Sequence, residues 1–210
     1  RQAIGIMNII LNKNYTLSID KLVDCSLDIL GEKLLKSPGD VKADVLDFFR
    51  NRFENQMTAQ GFSYDVVNAV LATNDWDLCR CYNKIRAMES FKSDPVFLPF
   101  ATTFKRVENI IRDFSGGTIE PTLFETDAES VLHATFTGLR EKALSRIEKG
   151  DYLTCLKDLA ALKGAVDGFF DSVLVMARDE KVKYNRLSLL EAISALFHKI
   201  ADFSYISTEN

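Results

Sequence analysis

The chain has 210 residues, of which 47% are hydrophobic and 27% charged, as expected for a globular protein with a substantial core. No apolar run approaches the roughly 20 residues that a membrane-spanning helix needs, which argues against a membrane protein. The formal net charge of −4 argues against a strongly basic nucleic-acid binder. It is compatible with a local basic patch, because salt screens exposed charges beyond about 10 Å.

The four cysteines are few for the length, and their spacing matches no disulfide framework. Cys79 and Cys81 would lie about 200° apart on a helix, so they cannot share one metal ion. We therefore expect reduced thiols, no metal site and a cytoplasmic protein. Arg1 starts inside an apparent helix without an initiating Met, so we expect the chain to be part of a longer protein.

Apolar residues three and four positions apart predict five helices before residue 94. The first runs from Gln2 to about residue 13. The second continues to Leu34, and the third begins after Asp40, its expected N-cap, and stops at Gly61. Ser63 is expected to cap the fourth. The fifth is expected to open at Asn74 or Asp75 and to run to about Phe91.

Two of the four prolines fall between Asp94 and Pro99, where we place a domain boundary that gives domains 1–95 and 96–206. A helix through Phe104 should then end at Ser115-Gly116-Gly117. Thr126 and Glu129 form a capping box for the next helix. One helix is expected from Asp151 to beyond Phe169. A final helix is expected to start in the charged segment 178–186 and to end near Ser204. No strand-like alternation stands out, so the predicted fold class is all-α.

Arg186 interrupts the apolar stripe of the final helix. A guanidinium at that position must find a carboxylate or face solvent, because burying an unpaired charge costs several kcal/mol. Asp167 and Asp171 are the partners nearest in sequence on the preceding helix. We favour the interpretation that Arg186 clamps two helices, with contact to RNA as the alternative.

The sequence shows no catalytic constellation. His133 and His198 each stand alone on a predicted helix, and the nucleotide-binding and metalloprotease motifs are absent. Asp75 and Asp77 have no partner base, and we interpret them as first-turn helix residues favoured by the helix dipole. We predict no catalytic residue and no metal ligand.

Five segments together resemble one family in the order in which they occur. The fifth includes the pair Phe169-Phe170, the run Val173-Leu174-Val175-Met176 and the charged segment 178–186. The five segments are Arg1–Leu11, Leu46–Arg52, Gly61–Ala72, Phe104–Ile111 and Val166–Arg186. They resemble the C-terminal part of the β subunit of bacterial two-subunit (α2β2) glycyl-tRNA synthetase, including its DALR-type anticodon-binding domain.

The resemblance implies a helical-bundle anticodon-binding domain similar to that of arginyl-tRNA synthetase, preceded by helices of the β-subunit body. In this family the α subunit holds ATP and glycine, so no cofactor is expected in this chain. The implied partners are glycine tRNA, the α subunit and the remainder of the β subunit, with no DNA and no membrane. The family's region similar to HD phosphohydrolases needs clustered His and Asp ligands, so a degenerate hydrolase is the weakest reading here.

Two clusters could contact RNA, because Lys and Arg hold phosphates while aromatic and amide side chains recognise unpaired bases. A solvated helix face is the alternative for most of these charges. A second functional hypothesis is a helical protein-interaction scaffold that makes no RNA contact. The stronger cluster is Arg178, Lys181, Lys183, Tyr184, Asn185 and Arg186, and the other is Lys105, Arg106, Asn109 and Arg112.

Overall fold

The computed structural model describes residues 1–208, apart from the side chain of Glu32. Within that range the chain forms ten α-helices and no strand, which confirms the all-α prediction. Short 3-10 turns occupy Gly31–Lys33, Pro121–Leu123 and Phe203–Tyr205. The helices are α1 Gln2–Lys13, α2 Ile19–Leu30, α3 Pro38–Ala59, α4 Tyr64–Leu71, α5 Leu78–Lys92, α6 Phe97–Ile111, α7 Asp127–Glu148, α8 Tyr152–Leu159, α9 Leu162–Ser172 and α10 Glu180–His198.

Two of the predicted helix starts were wrong. Helix α3 begins after Ser37, whose hydroxyl oxygen accepts a hydrogen bond from the Asp40 amide at 3.1 Å, with Pro38 in the first turn. A serine followed directly by proline is a better start signal than an aspartate three residues later. Helix α5 begins after Asp77, whose carboxylate accepts from the Arg80 amide at 2.9 Å, and so it does not begin at Asn74 or Asp75.

Four predicted helix ends also differ. Helix α6 ends at Ile111 and so stops four residues before the predicted Ser115. Helix α2 stops at Leu30 because Gly31 takes a positive φ of 50°. The helix predicted from Asp151 is broken at Ala160-Ala161 into α8 and α9. Its apolar period continues across the break because both segments pack against α7. The final helix ends at His198. The apolar residues after it are buried, but they lie in the C-terminal turn and not in the helix.

An aromatic cluster joins α5, α6, α10 and the C-terminal turn. Phe100 packs edge-on against Phe91 and Phe203, with ring centroids 5.5 and 5.3 Å apart, and Phe104 lies 4.1 Å from Phe197. Further along α6, Glu108 accepts a hydrogen bond from Ser194, which precedes Phe197, so α6 runs antiparallel to α10 and its end lies beside the start of α10. The buried hydrophobic core continues past residues 94–99, and the domain boundary predicted there stays a prediction.

Candidate nucleic-acid interface

The N-terminus of α10 is fixed by its cap. The Asp179 carboxylate accepts hydrogen bonds from the amides of Lys181 at 2.8 Å and Val182 at 3.2 Å, which satisfies two of the free N–H groups at the helix start. The side chains of Arg178 and Lys181 are exposed on either side of this cap.

The loop after α6 is held against the first turns of α10. The Tyr184 hydroxyl donates to the Gly116 carbonyl at 2.5 Å, and its ring meets Phe114 edge-on at 5.0 Å. Gly116 takes a positive φ of 73°. A Cβ on Gly117 would lie 1.9 Å from the Ser188 hydroxyl oxygen, so only glycine allows this close approach of loop and helix.

A groove of about 780 Å³ lies between this loop and α10. Lys181 and Tyr184 line it from the helix, and the loop contributes Gly117 and Thr118. Tyr184 is half exposed, so part of its ring faces solvent. The groove thus presents an aromatic face and an ammonium group, which suit an unpaired base and its phosphate, and it is also bordered by the carboxylates of Glu120 and Glu180.

Asn185 was predicted to contact RNA, but the structure gives it a structural role. It is buried, its Oδ1 accepts from the Glu120 amide at 2.7 Å, and its Nδ2 donates to the Glu120 carbonyl at 3.0 Å. Both ends of the amide are therefore engaged with backbone 65 residues away in sequence. For that reason we do not expect Asn185 to contact RNA directly.

Arg186 is also buried, and it clamps helices as favoured, although the expected partners were wrong. Its Nε donates to Glu129 and one Nη donates to Glu125, both at 2.8 Å, while the other Nη donates to the Leu174 carbonyl at 3.1 Å. Asp167 instead accepts hydrogen bonds from Thr103 and Lys163, and Asp171 is exposed. The guanidinium therefore joins α10 to the start of α7 and to the loop after α9, and it is not available to RNA.

Glu129 serves two purposes at once. It completes the predicted capping box, since its carboxylate accepts from the Thr126 amide at 2.9 Å and the Thr126 hydroxyl accepts from the Glu129 amide. The same carboxylate neutralises Arg186. Burial by itself would raise the pKa of Glu129, but the hydrogen bonds from Arg186 and Thr126 hold that pKa below its ordinary value.

The other predicted cluster is divided by the structure. Lys105 donates to the Ile206 carbonyl at 3.3 Å, and the Arg106 guanidinium lies 4.1 Å from the centre of the Phe170 ring. Arg112 donates to the Asn109 side chain at 2.6 Å near the end of α6. Of these four, Arg112 lies closest along the chain to Phe114, which meets Tyr184.

Two apolar side chains on the loop between α9 and α10 are exposed candidates for contact with RNA that were not predicted as such. Val173 and Val175 are buried, whereas Leu174 and Met176 are exposed. One side of this loop is therefore buried against the protein, and the other side exposes aliphatic side chains directly before Arg178. The alternation was visible in the sequence but was read as one apolar run.

A second cleft, of about 680 Å³, separates α5 from α6 and α10. Its charges are mixed: Asp75 accepts from Arg80 at 2.6 Å and from Lys84 at 2.8 Å, so Asp75 is a loop anchor and not a first-turn helix residue. Burial raises the pKa of Glu108, which also accepts from the Ser194 hydroxyl at 2.6 Å. The cleft also contains His198, one of the two histidines.

Metal-binding and membrane-spanning features are absent from the part of the chain that the structure describes. Within residues 1–208 no three His, Cys, Asp or Glu side chains lie close enough to hold a metal ion. No helix in the same range has the length and apolar character to cross a membrane.

Comparison with known families matches both parts of the chain. Residues 1–72 match the family model described as glycyl-tRNA synthetase beta subunit, and residues 101–207, half of the chain, match the DALR anticodon binding domain. The chain belongs to the DALR anticodon-binding domain family. The DALR match covers α6 to the C-terminal turn, and so contains the start of α10 and the groove beside it.

Several relatives resemble the whole chain. The glycine–tRNA ligase beta subunit of Syntrophus aciditrophicus is 47% identical over all 210 residues. Those of Geobacter metallireducens and Trichlorobacter lovleyi are 44% and 42% identical over 99% of the chain. The DALR family member described here spans 30% of the length of each of these relatives.

Proposed function

We propose that this chain is the anticodon-binding part of a glycine–tRNA ligase β subunit and that it binds glycine tRNA. The observation that carries the proposal is the DALR match over residues 101–207, which includes the exposed basic start of α10. In this proposal the chain performs no chemistry and holds no cofactor. ATP-dependent formation of glycyl-tRNA takes place at an α subunit, in the cytoplasm.

The proposed contact surface combines charge with exposed apolar groups. Arg178 and Lys181 would hold phosphates, while the Tyr184 face and the exposed side chains of Leu174 and Met176 would pack against unpaired bases. Asn185 and Arg186 would act indirectly, by fixing the loops that border this surface.

Binding to two tRNAs tests the proposal. We would measure the affinity of the chain for glycine tRNA and for the same tRNA with an altered anticodon, at about 50 mM and about 200 mM salt. We expect salt-sensitive binding that falls when the anticodon changes. Equal affinity for both tRNAs would refute anticodon recognition, and absence of binding would favour the interaction scaffold.

Charge reversal locates the surface. The double variant Arg178→Glu/Lys181→Glu should weaken tRNA binding while helical content stays the same, because both side chains are exposed. For the single change Lys181→Glu, the matched control is Lys157→Glu, which reverses the charge of an exposed lysine on α8. Equal effects of the two changes would indicate general electrostatic attraction and not a local site.

A further inference from the structure

The exposed apolar side chains of this protein are concentrated at one end of the sequence. Of eighteen large hydrophobic residues that are exposed within residues 1–208, ten lie between Ile4 and Phe48. Ile29 is 84% exposed, and Leu35 is fully exposed. Single exposed hydrophobic residues are normal, whereas a contiguous exposed apolar patch marks an interaction surface.

Three of these residues, Ile6, Leu22 and Leu30, line a groove formed by α1, α2 and α3, which we call the α1–α3 groove. It encloses about 220 Å³ and is lined by nine apolar side chains and one serine. The Ser26 hydroxyl donates to the Leu22 carbonyl at 2.8 Å, so its donor is already used. The lining is Ile6, Ile19, Leu22, Val23, Ser26, Leu27, Leu30, Val41, Val45 and Phe49.

The groove itself is uncharged, and the charges around it balance. Residues 1–59, which contain α1 to α3, have eight Asp or Glu and eight Lys or Arg, a difference of zero. Lys42 pairs with Asp20 at 2.8 Å and with Asp24 at 2.7 Å, and Lys36 pairs with Asp44 at 2.7 Å. The ten lining residues include no charged side chain, so the groove offers nothing to the phosphates of RNA or anionic lipid. The chemistry therefore fits an apolar protein surface.

We infer that the α1–α3 groove is the docking surface for the rest of a glycine–tRNA ligase β subunit, through an apolar helical face of that polypeptide. Residues 1–72, which contain the groove, match the β-subunit family model, and the relatives are about three times as long as this chain. The inference rests on the proposed membership in that subunit and is independent of tRNA binding. Continuity within one polypeptide makes such contacts effectively intramolecular, so a groove of modest size is sufficient.

Hydrogen exchange in two contexts tests the inference. One sample is the isolated chain. The other is the Syntrophus aciditrophicus β subunit in which this chain replaces the matching segment, an exchange favoured by 47% identity over the full length. We expect the amides of α2 and the first half of α3 to exchange at least about tenfold more slowly in the chimeric subunit. Equal exchange in both samples would overturn the inference.

Substitutions connect that protection to the groove. Leu22→Glu and Leu30→Glu change partly exposed lining residues, so the isolated chain should keep its helical content. Each should remove the protection in the chimera. Val131→Glu, at an exposed apolar position on α7 outside the groove, should leave the protection intact. Protection that survives both groove substitutions would contradict the inference.

Two other occupants give distinct results. Protection that appears only after an α subunit is added would assign the groove to that subunit. A dimer of the isolated chain in sedimentation equilibrium, abolished by Leu22→Glu, would assign it to a second copy. Either result overturns the inference. Failure of tRNA binding would leave the exchange result unchanged, so the two proposals can fail separately.

Discussion

Replacing Glu129 by glutamine removes one charge from the centre of the α7–α10 contact while nearly preserving the side-chain shape. The Glu129 side chain is 1% exposed and Arg186 is 6% exposed. After Glu129→Gln, Glu125, which is 58% exposed, is the charged partner that the guanidinium keeps, whereas the Leu174 carbonyl and the new amide oxygen are neutral acceptors. The buried positive charge thus loses its one fully buried counter-ion.

The magnitude follows from that geometry. Removing one partner of a buried ion pair typically costs about 3–5 kcal/mol. The remaining contact to Glu125 favours the lower end, whereas the new amide can satisfy fewer of the donors around Thr126, and an unsatisfied buried group costs about 1–3 kcal/mol. We therefore expect Glu129→Gln to lower the free energy of unfolding by about 3 kcal/mol near neutral pH.

Urea-induced unfolding followed by circular dichroism measures this loss. Glu125→Gln is the matched control, because its exposed carboxylate should contribute only about 0–1 kcal/mol. Adding Arg186→Met to Glu129→Gln should restore part of the stability, since it removes the buried charge. A loss below about 1 kcal/mol for Glu129→Gln would refute the reasoning.

The pH dependence of this effect has a defined sign. Because the pKa of Glu129 is lowered in the folded state, its contribution is present above the unfolded-state pKa of about 4.3 and is lost as the pH falls through the folded-state pKa. The stability difference between wild type and Glu129→Gln should therefore shrink in acid. An unchanged difference would mean that the charge of Glu129 is not the cause.

Three further changes test other contacts. Because burial raises the pKa of Glu108, its carboxylate costs stability as the pH rises, so Glu108→Gln should gain stability relative to wild type between about pH 4 and neutral pH in urea unfolding. Gly117→Ala should lose about 1–3 kcal/mol, as its Cβ would lie 2.8 Å from the Ser188 Cβ, whereas Gly138→Ala on α7 meets no atom within 4 Å and should not be destabilising in thermal unfolding. Asp179→Ser should keep the cap to within about 0.5 kcal/mol and should bind tRNA more tightly, as a filter-binding assay would show, because it removes a negative charge beside Lys181.

Local sequence signals predicted most helices because they depend on neighbouring residues. The capping box at Thr126 and Glu129 is one example. The break between α8 and α9 was missed because both segments bury the same periodic side against α7, so the apolar pattern carries no record of the turn.

Long-range partners could not be predicted in the same way. Glu129 lies 57 residues before Arg186. Its place in the capping box was a sufficient local reason for a glutamate at that position, so nothing in the sequence indicated a second role as the partner of Arg186. Asn185 stands among basic residues and resembled a base-reading amide, yet it binds backbone at Glu120. Arg186 and Asn185 were both candidates for RNA contact, but each binds other parts of the chain and stabilises the fold. Only the tertiary structure distinguishes these two roles.

This distinction predicts how binding to tRNA depends on salt. Seven basic residues were predicted to contact RNA, but Arg186 is buried and Lys183 pairs with Glu180 at 2.6 Å. Arg178 and Lys181 remain exposed at the start of α10. On a single strand each phosphate contact contributes about 0.7 to the slope of log affinity against log salt, so two contacts predict a loss of about sevenfold between about 50 and about 200 mM salt. Seven contacts would instead predict a loss of about 10³-fold over that range. A slope of about 1.4 supports the surface proposed here, and a slope of about 3.5, which corresponds to five contacts, would require Lys105, Arg106 and Arg112 to bind the same RNA.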